Sequence, residues 1–197
     1  MAFTPRLNSD GMTDNFHWYS NDNPYEATGF GMPNCTAYAW GRFWEIGDPN
    51  NTGAHKPDPT ELPGYYSGQA WWNRVDTSVY QKGQIPALGA VICFTGGTDG
   101  HVAIVEQINN DGSIVTSNSA YGGPYFYTQT LYASNFYSWT SGGGNLYTCQ
   151  GFIYNPYGDG PGPSPTPTTK RSKFPWVLYA RKLRERHRNW LLYINML

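Results

Sequence analysis

Pro33-Asn34-Cys35-Thr36-Ala37-Tyr38-Ala39-Trp40 is followed, 66 residues after Cys35, by Gly100-His101-Val102-Ala103-Ile104-Val105. The first stretch reads as the start of a helix capped by Asn34, and the second as a buried strand that opens on a histidine. A cysteine at a helix start meets unpaired backbone N–H groups and the positive end of the helix dipole, which favour a thiolate over a thiol. An imidazole at the mouth of a strand can take its proton and return it. Cys35 and His101 are therefore a candidate nucleophile and its general base.

The text between and around them describes the rest of the domain. Helix formers are sparse, while 23 glycines, 15 prolines and 16 tyrosines point to short strands joined by many turns. The expected class is α+β, with helices near the N-terminus packed on an antiparallel β-sheet. The helix from Cys35 to about Ile46 stops at Gly47-Asp48-Pro49-Asn50-Asn51, and a second short helix is expected at 67–74. Strands are expected at 90–95, 101–107, 113–118, 124–131 and 149–154, with Asn109-Asn110-Asp111-Gly112 as a hairpin turn. Residues 1–30 show no helical period and read as loops that wrap the domain.

Charge divides the chain. Residues 1–160 carry five basic and thirteen acidic side chains, a net of −8, whereas 161–197 carry eight basic side chains and only Glu185, a net of +7. Blocks of opposite sign mark separate modules. The expected organisation is a catalytic domain at 1–157, a Pro/Gly/Thr-rich linker at 158–169 that cannot pack, and a basic amphipathic tail at 170–197. The tail suits an anionic surface, either phospholipid or an anionic wall polymer, or else docks on the acidic body. No apolar span approaches the ~20 residues of a transmembrane helix. Met1-Ala2-Phe3-Thr4-Pro5-Arg6 lacks the apolar core of a signal peptide, so export by another route is expected.

Three cysteines, Cys35, Cys93 and Cys149, make a disulfide framework a poor explanation, although a Cys93–Cys149 bridge stays open. Cys93 sits in an apolar run and reads as a small buried hydrophobe. His17, His55 and His187 lie in polar or basic stretches and read as solvated. A zinc site would need clustered ligands that the sequence lacks. Asn21-Asp22-Asn23 to Glu26 offers oxygens to calcium, but without the alternating pattern of a calcium loop it reads as loop capping. No metal, cofactor or nucleic-acid partner is expected, and the protein is expected to be a monomer.

Four ordered motifs carry a resemblance. Asn34-Cys35-Thr36-Ala37-Tyr38-Ala39-Trp40, Gly68-Gln69-Ala70-Trp71-Trp72, Pro86-Ala87-Leu88-Gly89-Ala90-Val91-Ile92-Cys93-Phe94 and Gly100-His101-Val102-Ala103-Ile104-Val105 resemble the CHAP family of cysteine, histidine-dependent amidohydrolases and peptidases over roughly residues 15–157. The resemblance implies a papain-like fold, related to that of NlpC/P60 peptidases, and bacterial peptidoglycan as substrate. It implies hydrolysis of a wall amide, as amidase or endopeptidase, in the manner of a bacteriophage lysin. A non-catalytic wall-binding module and an NlpC/P60 peptidase are the rivals. Both Cys35 and His101 in their motif contexts disfavour the first, and Asn34-Cys35-Thr36 in place of Asp-Cys-Ser disfavours the second.

The third site member follows from strand geometry. If Ile108 faces Ser113 across the turn, His101 faces residues near 118–120, where Asn118 is the side chain able to accept an imidazole N–H. In the resembling family a Glu, Asp or Asn here orients the histidine, which implies a Cys35-His101-Asn118 arrangement; Asn118 also reads as a plain strand end running into a turn. Glu106, five residues from His101, points to the opposite sheet face and is assigned to solvent or scaffold packing. Asn34 and the backbone N–H of Cys35 are the oxyanion-hole candidates, with simple N-capping an equal role for Asn34.

Overall fold

The computed structural model of the chain describes residues 3–12, 17–132, 139–140 and 146–159. The expected linker from residue 160 onward and the tail at 170–197 lie outside the described residues. Two helices, α1 (Cys35–Gly47) and α2 (Gly68–Arg74), precede the strands β1 (Lys82–Gly83), β2 (Val91–Thr95), β3 (His101–Ile108), β4 (Ile114–Asn118), β5 (Tyr127–Leu131), β6 (Trp139–Thr140) and β7 (Leu146–Ile153). The strands pair antiparallel in the order β1-β7-β2-β3-β4-β5, with β6 pairing β7. The α+β class and the helices on an antiparallel sheet agree with the sequence reading. Residues 3–34 contain only two short 3-10 turns, His17–Tyr19 and Glu26–Thr28, among the described residues.

Sequence patterning explains the layers. β2 and β3 are continuous apolar runs because both of their faces are buried. Val91, Cys93, Val102 and Ile104 face α1 and pack with Ala37, Trp40 and Trp44, whereas Ile92, Phe94, Ala103 and Val105 join Ile114, Leu131 and Phe152 on the other side. The N-terminal loops complete the first core with Trp18, Tyr19 and Tyr25. Asn23, in the stretch weighed for calcium, is buried and donates through Nδ2 to Trp18 O and Ala37 O, both at 2.8 Å. Its amide holds the loop to α1.

The register around the β3–β4 turn departs from the simple hairpin expectation and then returns to it. Ile108 pairs with Ile114, not Ser113, and a bulge between Val105 and Gln107 takes one residue back, so Ile104 lies opposite Ser117. The displaced residue is Glu106. Its side chain is fully buried, which overturns a solvent position and leaves the scaffold role. Arg42 grips it bidentately, with Nε to Oε1 and Nη2 to Oε2 both at 2.9 Å. Ser117 Oγ and the Arg6 backbone N–H donate to the same carboxylate at 2.7 and 2.8 Å. Arg42 also reaches Glu45, which accepts from Tyr19 OH and is paired with Arg6.

Removing one partner of a buried, hydrogen-bonded pair leaves an uncompensated charge, at a cost of about 3–5 kcal/mol. Glu106→Gln should therefore lower the urea midpoint strongly, whereas the double variant Arg42→Met, Glu106→Leu should recover much of the loss. A Glu106→Gln loss below about 1 kcal/mol, the range of exposed pairs, would show that the cluster does not hold the fold.

Candidate active site

Cys35 is the first residue of α1. Asn34 stands before it in extended conformation, φ −162° and ψ 140°, and its Oδ1 accepts from Thr36 N at 3.1 Å and Thr36 Oγ1 at 3.0 Å. Its Nδ2 donates to Phe30 O at 3.0 Å. The side chain thus acts as the helix cap, one of its two expected roles, and Asn34 lines the same cleft as Cys35.

His101 opens β3, and its placement depends on two glycines. A Cβ on Gly68 would lie 3.0 Å from the backbone of His101, so the first turn of α2 rests directly on the start of β3. Gly100 has φ +65°, and a Cβ there would meet Phe94 O at 2.4 Å. No other residue suits that turn without strain. Gln69 N donates to Asp99 O at 2.9 Å, which pins the loop ahead of the histidine to α2.

Cys35 and His101 line one cleft of about 740 Å³ together with Asn34, Asp99, Ala120 and the aromatic side chains of Tyr25, Phe30, Tyr65, Tyr66, Tyr121 and Tyr147. Tyr25 OH lies 2.6 Å from Pro63 O and accepts from Trp71 Nε1 at 2.9 Å, so the 63–66 wall is tied to the core. Cys35 is half-buried; Cys93 and Cys149 are buried away from this cleft, and all three are free thiols. The bridge left open in the sequence is not formed.

Asn118 stands on β4 with its Oδ1 3.0 Å from His101 Nε2. Its Nδ2 donates to Thr116 O at 3.2 Å and Thr116 Oγ1 at 3.0 Å. A backbone carbonyl only accepts, so the amide nitrogen must face Thr116 and the amide oxygen must face the imidazole. The hydrogen is then on Nε2, which makes Nδ1 the basic nitrogen. Thr116 was missed from the sequence, although alternation places it on the same strand face as Asn118.

Burial pushes the Cys35 thiol up to about 11, against the lowering effect of the Val102, Thr36 and Cys35 backbone N–H groups at the sulfur. Burial also brings His101 down to about 4, despite the opposing hydrogen bond to Asn118. Both shifts favour the neutral forms. Desolvation thus opposes the helix dipole at Cys35 and favours a thiol beside a neutral imidazole. Such a pair can carry out acyl transfer by general-base attack, with proton transfer in step with formation of the C–S bond.

Residues 24–120 match the CHAP domain. A probable autolysin, SsaALP, of Staphylococcus aureus is 33% identical over 117 residues, 58% of this chain and 38% of that protein. Staphylococcal secretory antigen ssaA2 of S. aureus is 41% identical over 66 residues, 32% of this chain and 24% of the relative. A crystal structure of an N-acetylmuramoyl-L-alanine amidase from S. aureus aligns over 73% of this chain and 37% of that one, with 26% identity and a TM-score of 0.42. The chain thus spans less than two fifths of the length of each.

A neutral resting pair predicts that alkylation of Cys35 by iodoacetamide keeps accelerating as pH rises past 9, toward the raised thiol value near 11. Stopped-flow rates with mass-spectrometric assignment to Cys35 measure this. A rate that levels off below pH 7 would mean a thiolate–imidazolium pair instead.

Proposed function

We propose, from the premise that the chain carries a CHAP domain over residues 24–120, that it is a peptidoglycan hydrolase in which the Cys35 sulfur attacks an amide carbonyl of the bacterial wall. The observation that carries this reading is the single cleft shared by Cys35 and His101, with the imidazole held through Nε2 by Asn118. The name of one relative, a probable autolysin, supports the substrate class.

The chemistry follows from the groups present. His101 Nδ1 takes the thiol proton as sulfur bonds to the carbonyl carbon, and the negative charge moves to the carbonyl oxygen. The Cys35 backbone N–H and the second N–H of Asn34 Nδ2 are the donors suited to that oxyanion. The imidazolium then protonates the departing amine, the C–N bond breaks and a thioester remains. Water, deprotonated by the same imidazole, attacks the thioester and releases the acid with restoration of the thiol. Asn118 keeps the required tautomer throughout, and Thr116 keeps Asn118.

Turbidity loss of purified walls, with mass spectrometry of the released fragments, tests the reading. Cys35→Ala and His101→Ala should abolish release with unchanged circular dichroism, and Cys93→Ala should retain it. Asn118→Ala should lower kcat by about 10²-fold or more with little change in KM, as for other groups that hold a catalytic histidine. New N-termini or freed lactyl groups in the fragments identify the bond class. Full lysis by Cys35→Ala would overturn the proposal.

A further inference from the structure

Asp99 is the one Asp, Glu, Lys or Arg among the residues that line the cleft of Cys35 and His101. It is exposed, in the loop that leads into His101, and its backbone is fixed by Gln69. None of the ion pairs among the described residues involves it. Aromatic side chains share the wall with small and polar residues: Phe30, Tyr65, Tyr66 and Tyr121 are all exposed, the Phe30 and Tyr121 rings meet at 6.1 Å, and Arg74 already stands over the Tyr66 ring at 3.9 Å. A carboxylate in a cleft walled by aromatic faces attracts a cation by charge and by ring quadrupole together.

We propose that Asp99 is a specificity site for a substrate ammonium group. Resting on the hydrolase reading above, the amide cut at Cys35 then lies beside a residue whose amine is free, a diamino acid side chain or a peptide N-terminus. The acidic balance of residues 1–160, with five basic against thirteen acidic side chains, favours approach of the same charge. The Asp99 charge also reaches the Cys35 sulfur, where it adds to burial in disfavouring the thiolate. An ammonium seated at Asp99 cancels that field and so eases removal of the thiol proton when the substrate is in place.

Two measurements test this, one of them independent of any wall substrate. Methanethiosulfonates bearing a trimethylammonium or a sulfonate group are reacted with the protein, and the rate at Cys35 is followed by mass spectrometry. The cation should react faster than the anion, and Asp99→Asn should reduce that ratio by about tenfold at low salt, with Asp99→Glu retaining it. An unchanged ratio in Asp99→Asn would overturn the site. In the second, soluble wall fragments are offered before and after N-acetylation of their amines. Wild type should lose about tenfold in kcat/KM on acetylation, and Asp99→Asn should start that much lower and be indifferent to it. Equal turnover of both forms by wild type would overturn the substrate assignment. No turnover of either form would count against the hydrolase reading, while the reagent ratio would still decide the ammonium site.

Discussion

The bidentate pair between Arg42 and Glu106 is the constraint on which the site geometry rests. Cys35 and Arg42 share α1, seven residues apart, and His101 and Glu106 share β3, five apart. The pair therefore clamps together, about 10 Å along the helix from its start, the same two elements that carry the cysteine and the histidine. Glu106 reaches Arg42 because it lies on the α1 face of β3, two residues beyond Ile104 and four beyond Val102. Ser117, one residue before Asn118, closes on the same carboxylate, so β4 is drawn into the clamp as well. Arg6 and Thr4 tie the N-terminal segment to it through the Arg6 N–H to Glu106 and the Arg42 guanidinium to Thr4 O. A polar network this well satisfied fixes relative position in a way that apolar contacts alone do not.

A second chain of constraint sets the chemistry. The acceptor-only character of the Thr116 carbonyl orients the Asn118 amide, which orients the imidazole and selects its tautomer. Desolvation favours the neutral form of both Cys35 and His101. In the proposed mechanism charge arises only as the bond to substrate forms, in a cleft where preorganised N–H groups act at low dielectric. An uncharged thiol is also a poor target for stray electrophiles and oxidants.

Much of this was legible in the sequence, and the reasons differ from place to place. The helix start at Cys35 was readable because Asn34 caps it by a purely local hydrogen bond. The strands β2 and β3 were readable as unbroken apolar runs. Asn118 was placed correctly by a hairpin count that ignored both the later pairing of Ile108 and the bulge, two shifts that cancel. Glu106 was not fully readable, because local spacing gives its face but not the arginine on a distant helix that neutralises it. The charge state of Cys35 is less legible for a related reason. The helix dipole is visible in the sequence, whereas the burial that opposes it is a property of the assembled cleft. Asp99 carried no signal of its own until Gly68 and Gly100 placed its loop at the cleft.

In the proposed mechanism Asn118 holds His101 as a neutral imidazole protonated on Nε2, with Nδ1 as the base for Cys35. Long-range ¹H–¹⁵N correlation spectra of protein labelled at histidine report protonation and tautomer directly, with His101→Gln identifying its signals. A neutral ring with the hydrogen on Nε2 is expected at pH 7, with ring protonation only near pH 4. An imidazolium at pH 7, or a neutral ring with the hydrogen on Nδ1, would contradict it.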